Sequence, residues 1–191
     1  SLENFSAFAA AEQIEYAVLS HRQALPLIKQ LLGTQAWTLA HYDGVAVVLV
    51  RKDGPNGAIA AQPLPKPLDG PEERWSMLSK IYVEATWIES FSRWLLGGEE
   101  IPESLSKTGT FLLMLNEWAN AERPMLETAM QAPDFWETSS NLGALYMRLR
   151  DWEAAATAYR IVLMLNSGND LARRRSDESW VLFQDSLRAA K

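Results

Sequence analysis

The sequence predicts an α+β protein: a small αβαββ segment over residues 1–52, then an all-α array of helical hairpins over residues 72–191. Three observations carry this reading. Asp43-Gly44 stands between two β-prone runs, the strongest short-range hairpin signal there is. The stretch DGPNGAIAAQPLPKPLDGP, Asp53 to Pro71, holds five of the nine prolines and three glycines, so neither a helix nor a central strand survives there. Beyond it, small and aromatic residues recur with a period of 34.

The elements follow in order. SAFAAAEQ has the composition of a helix. IEYAVLS, Ile14 to Ser20, is a short β-prone run. RQALPLIKQLLG is a helix with Pro26 in its first turn and Gly33 placed where glycine favours the position after a C-cap. Ala36–Tyr42 and Val45–Arg51 should then pair antiparallel around Asp43-Gly44. Three strands make little sheet for a complete domain, and further strands are expected upstream of Ser1. The start, SLENFSAF, reads as a cut end. Residues 53–71 form a semi-rigid connector, although a long surface loop within one domain would have the same composition.

From Glu72 to Leu96 no proline or glycine interrupts a helical pattern. FLLMLNEWANAE, PMLETAMQ, NLGALYMRLRDWEAAATAYRIV and DLARRRSDESWVLFQDSLRAAK continue it. Gly109 and Gly143, Trp118 and Trp152, and Ala121 and Ala155 all stand 34 positions apart, and an acid precedes each tryptophan of the pair. Small residues at Gly143 and Ala155 let two helices approach, while Leu142, Tyr146, Trp152 and Tyr159 fill the space between them. Pro124 falls inside the second helix of the earlier copy, which is therefore expected to start late, near Pro124 itself. Trp180, Phe183 and Leu187 share a helical stripe suited to a capping helix.

These residues resemble the tetratricopeptide repeat (TPR) pattern W-x2-L-G-x2-Y, A-x3-F, Pro. The later copy supplies Leu142, Gly143, Tyr146, Ala155 and Tyr159, with Ser139 and Ser167 in place of Trp and Pro. The earlier copy keeps Gly109, Ala121 and Pro133, with Thr108, Leu112 and Met125 at the substituted places. WSMLSKIY matches more weakly through Trp75, Leu78, Ser79 and Tyr82, and it is out of step with the period. The resemblance implies a TPR-like scaffold that binds a protein or peptide in a groove lined by first helices. By position, Glu103, Ser106, Thr110, Leu113 and Met114 line it in the earlier copy, and Glu137, Ser140, Ala144, Met147 and Arg148 in the later one. Ser140 and Ala144 stand where some members hold a terminal carboxylate with Lys and Asn, so capture of a peptide C-terminus is not expected. Two hairpins either form a purely structural stack or complete it by pairing with a second copy, as a homo-oligomer.

A second resemblance covers Ile14 to Lys52. It is similar to the soluble segment that follows the membrane helices of some bacterial polytopic glycosyltransferase-like proteins, on the match of Tyr16, Trp37, Tyr42, Asp43 and Arg51. It implies the extracytoplasmic (periplasmic-side) tail of a membrane protein whose catalytic part lies upstream, with a glycan or acceptor to position. Without this resemblance a cytoplasmic repeat protein is the alternative. Seven of the eight tryptophans lie in the helical part: Trp75, Trp87, Trp94, Trp118, Trp136, Trp152 and Trp180. Most are expected in the core, and one or two on a wall could stack on sugars.

Chemistry is otherwise scarce. With 18 basic against 24 acidic residues the chain lacks the basic footprint a nucleic-acid binder needs. It has no cysteine, hence no disulfide, thiolate catalysis or Cys-ligated zinc. No apolar run reaches the roughly 18 residues of a membrane span. The two histidines, His21 and His41, lie in different elements without metal-ligand spacing. There is no G-x-S-x-G and no glycine-rich phosphate loop; LLGG, Leu95 to Gly98, looks like a helix end. Arg173 to Arg175 are flanked by Asp170, Asp177 and Glu178, as on a solvated, salt-bridged face. The expectation is a non-enzymatic module with no cofactor and no metal.

Overall fold

A computed structural model of the protein describes residues 2–21, 23–43, 45–59, 61–85 and 101–190. The fold is α+β, and the chain divides into two compact units, Ser1–Leu64 and Pro65–Lys191. Trp87, Trp94, the LLGG segment, the later half of the run from Trp75 to Leu96, and Gly44 lie outside the described residues.

The first unit runs α1 (Leu2–Ala11), β1 (Tyr16–Ser20), α2 (Leu25–Gly33), β2 (Trp37–Tyr42) and β3 (Ala46–Arg51). The strands form an antiparallel sheet in the order β1-β3-β2, with Tyr16 opposite Val50 and Tyr42 opposite Val47. Asp43 sets the hairpin by a local mechanism. Its Oδ1 accepts the backbone N–H groups of Val45 (2.7 Å) and Ala46 (2.8 Å), so β3 starts at Ala46, one residue later than expected, while β2 ends at Tyr42 as expected and begins one residue late at Trp37. A bulge between Leu39 and His41 shifts the register of β2. Ile28 and Leu31 of α2 are buried with Val47 and Leu49 of β3, and α2 packs on β2. Gly33 is the last residue of α2 rather than its left-handed terminator. Thr34 closes the helix through its hydroxyl on the Leu31 carbonyl (2.7 Å), and Gln35 takes the positive φ of 56°.

Residues 53–71 are not a free tether. The Gln62 N–H bonds the Leu39 carbonyl (3.0 Å) and its side chain accepts the Tyr42 N–H (2.7 Å), so this part lies along the edge of β2. Further on, the Pro65 carbonyl accepts from Asn120 (2.8 Å) and the Lys66 carbonyl from Arg123 (3.0 Å), within the second unit. Prolines lack a donor but keep a carbonyl, and those carbonyls are what the side chains hold.

The second unit runs α3 (Pro71–Glu84), α4 (Glu103–Met114), α5 (Trp118–Gln131), α6 (Trp136–Leu149), α7 (Trp152–Leu165) and α8 (Asp170–Ala189). From α4 onward each helix packs against the next, and α4 also meets α6. The period of 34 is written into backbone geometry. Asn116 and Arg150 both adopt left-handed φ, 65° and 59°. One residue later the Glu117 N–H reaches the Leu112 carbonyl (2.9 Å), and the Asp151 N–H reaches that of Tyr146 (3.0 Å). The interiors match as well. A Cβ on Gly109 would lie 2.6 Å from Cγ of Met125, and one on Gly143 would lie 2.7 Å from Cζ of Tyr159, again 34 positions on. Ala121 and Ala155, Leu112 and Tyr146, and Phe111 and Leu145 are fully buried in pairs.

Three expectations change. First, α5 does not start near Pro124. It begins at Trp118 and carries a buried Pro124 in its interior, because packing against α3, α4 and α6 holds a helix that has lost one internal bond. Second, α3 packs on α5 and α7, the second helices of the two hairpins. That places the weak, out-of-step match at Trp75 to Tyr82 against the second helices, and not as a first helix stacked ahead of α4. Third, α8 buries Ala172, Ser176 and Ser179, not the aromatic stripe; Trp180 stays 40% exposed, with Arg160 over its ring at 4.9 Å. Small residues on that face let α8 sit close to α7.

The two glycines meet buried side chains at nearly equal distances. Gly143→Ala drives a methyl into the Tyr159 ring, and Gly109→Ala drives one into the Cγ of buried Met125, next to its backbone. Overpacking costs about 1–3 kcal/mol and alanine returns about 1 kcal/mol of helix propensity. In urea unfolding, both Gly143→Ala and Gly109→Ala should be destabilising by about 1–2 kcal/mol; a stabilised variant at either position would refute the close approach there.

Candidate functional site

The first helices α4 and α6 supply the expected groove positions, and the structure brings only some of them together. On α4, Glu103 is exposed and bound to Lys107 (2.7 Å), which holds its carboxyl below the usual range. The Thr110 hydroxyl donates to the Ser106 carbonyl (2.9 Å), so this side chain is turned back on its own helix. Leu113 and Met114 are half-buried, as is Ser106. On α6, Glu137, Ser140 and Met147 are half-buried while Ala144 and Arg148 are exposed.

Ala144, Met147 and Arg148 converge. With Tyr159 of α7 and Arg175 of α8 they line a cleft of about 380 Å³. Ser179 fixes its floor: the hydroxyl lies 3.0 Å from Sδ of Met147 and tucks against the Arg175 carbonyl at 2.6 Å. Tyr159 lies across Gly143, and burial pushes its phenol above the ordinary tyrosine value. Arg175 holds Glu178 at 2.7 Å. Among the described residues no ion pair holds Arg148. The α4 positions do not belong to this cleft.

Sequence reasoning missed Tyr159 and Arg175 as site residues. Tyr159 had a sufficient role as interhelical filler, and Arg175 lay in a charged run that reads as solvated. The available signal was the period. Carried past α7 it makes α8 the next first helix, and Arg175 falls 34 positions after Asn141 on α6.

A second cluster surrounds Arg74 of α3. Its guanidinium forks onto both oxygens of buried Glu122, reaches Oδ2 of Asp151 (2.7 Å) and lies 5.4 Å from the Tyr146 ring centre. The bond to Glu122 raises Arg74 beyond its already high value, against the opposing effect of burial. Burial, then the negative charge of Glu122, pushes the Tyr146 phenol well above its ordinary value. Asp151 is shared. Its Oδ1 caps α7 by accepting the Ala154 N–H (3.1 Å). Next to this cluster, Arg150, Trp152, Glu153 and Phe183 line an open cleft of about 500 Å³.

No group of three or more His, Asp or Glu among the described residues could hold a metal ion. His41 is exposed, 3.7 Å from Asp43, and His21 is buried.

Two predictions follow from Arg74. Arg74→Met strands a buried carboxylate and should cost about 3–5 kcal/mol, and Arg74→Met with Glu122→Met should recover most of it, in a urea double-mutant cycle. A double variant no better than the single would dismiss the pairing. Tyr146 gives a pH effect with a definite sign. A phenol whose folded value is raised favours the folded state below its unfolded value, and that contribution is lost as pH rises further. Stability should therefore fall as pH rises above about 10, the ordinary tyrosine value, and Tyr146→Phe should flatten that fall. The chain matches no protein-family model, and no curated protein resembles it significantly in sequence.

Proposed function

We propose that the second unit is a TPR-like interaction module that binds a peptide or a partner helix along its first helices, without catalysis and without a cofactor. One observation carries the reading. Two hairpins repeat at 34 residues in the same three features: a left-handed turn residue, a glycine pressed on a large side chain, and a shared buried set. Helical units built this way bury their faces on one another and leave the first-helix surface for a ligand. The cleft at Ala144, Met147 and Arg148 coincides with positions that the TPR resemblance assigns to ligand contact. The acidic balance of the chain speaks against nucleic acid as the partner.

The proposed setting is the extracytoplasmic tail of a membrane-tethered protein, on the resemblance of the strand segment. Among the described residues no helix is long and apolar enough to cross a membrane.

A second reading has its own observation. In the cleft beside Arg74, Trp152 and Phe183 lie with Arg150, Asp151 and Glu153, an aromatic-plus-planar-polar mixture that suits a glycan. An oligosaccharide panel read by tryptophan fluorescence tests it, with Trp152→Ala as control.

Peptide selection separates the two. Random-peptide phage display on the purified chain should enrich sequences whose binding drops at least tenfold with Arg148→Glu, while the circular dichroism spectrum is unchanged. If nothing is enriched, or if enrichment is indifferent to Arg148→Glu, the groove is not the binding surface.

A further inference from the structure

We infer that the Arg148–Arg175 end of this groove selects an acidic peptide segment, which it binds through side-chain carboxylates. The inference rests on the interaction reading above and narrows its partner. The two arginines come from different helices, α6 and α8, yet line one cleft with Met147 and Tyr159. Arg148 sits in the last turn of α6, where a cation is favoured by the helix end, but no carboxylate of the described residues pairs with it. Arg175 gives one Nη to Glu178, and a guanidinium has further donors to offer. Between the arginines the floor is apolar and aromatic, as suits a leucine or an aromatic neighbour of the acid in the ligand.

The charge distribution points the same way. Residues 72–140 hold five basic and twelve acidic side chains, whereas residues 141–191 hold eight basic and six acidic ones. An otherwise acidic chain has therefore gathered its positive charge on the helices that build this cleft. Glu103 on α4 and Glu137 at the start of α6 lie outside the cleft. Within the cleft itself the charged side chains are the two arginines, which complement an acidic ligand.

The test uses the whole chain and defined probes. A fluorescent peptide of glutamate, alanine and leucine with both ends blocked is compared with its lysine-for-glutamate counterpart. A third probe bears a free C-terminus and no glutamate. The blocked acidic peptide should bind at least tenfold more tightly than the lysine form. Arg148→Gln and Arg175→Gln should each weaken it about fivefold, Arg188→Gln should leave it unchanged, and added salt should weaken it. All three arginines are exposed, so the substitutions keep the fold; circular dichroism checks this. Equal binding of the lysine peptide, no binding of the acidic peptide at millimolar concentration, or indifference to both Arg148→Gln and Arg175→Gln would overturn the inference. Preference for the free C-terminus would overturn it in favour of terminal-carboxylate capture. If phage-selected peptides depend on Arg148 yet carry no acids, the acidic assignment falls while the groove reading stands.

Discussion

The second unit depends on how closely its paired helices approach. At Gly143 the α6 backbone comes so near α7 that the Tyr159 ring occupies the place of a side chain, and at Gly109 Met125 does the same for α4 and α5. Everything downstream follows from that distance. Close helices need a tight turn, and Asn116 and Arg150 supply it in the left-handed region that single residues tolerate at a helix end. Close helices also leave no room for long side chains inside, hence Ala121 and Ala155 at equivalent buried places. α8 reaches the same end with different residues: Ala172, Ser176 and Ser179 are its buried face.

Polar groups fix what apolar packing leaves loose. Hydrophobic contact alone would let α3 slide or rotate across α5 and α7. Arg74 prevents this, since one guanidinium must satisfy a carboxylate from α5 and another at the start of α7 while lying over the Tyr146 ring. Buried ion pairs add little net stability, but leaving one partner alone is costly, so they select a single arrangement. Arg123 plays a lesser version of this role, binding Glu73 of α3 at 2.8 Å and the carbonyls of Lys66 and Pro67.

How far the sequence was legible depends on the range of the cause. The αβαββ order, the hairpin at Asp43 and the period of 34 were legible because each rests on local chemistry or on repetition. Of the residues lining the candidate cleft, the resemblance named Ala144, Met147 and Arg148, while Arg175 needed the period carried one helix further. The docking of α3 was not legible. Its determinants, Arg74, Glu122 and Asp151, are 48 and 77 positions apart along the chain, and no pattern marks one arginine as the partner of two distant acids. Pro124 misled for a related reason: propensity argues from the isolated helix, and α5 is held from three sides. The aromatic stripe of α8 misled because apolar residues were taken for the buried face, whereas a close contact wanted the small ones.

The arginines themselves divide structure from function. Arg74 is buried against two carboxylates and an aromatic ring; its donors are used, and it can do nothing else without loosening α3. Arg160 covers Trp180, shielding a ring on the last helix of the array. Arg148 has neither task. It is exposed, no ion pair among the described residues claims it, and it borders a cleft that Arg175 enters from the next helix. Its position in the last turn of α6 adds at most a modest helix-end effect. On the proposed reading its partner comes from outside the chain: two guanidinium groups beside an apolar floor favour a carboxylate flanked by an apolar side chain.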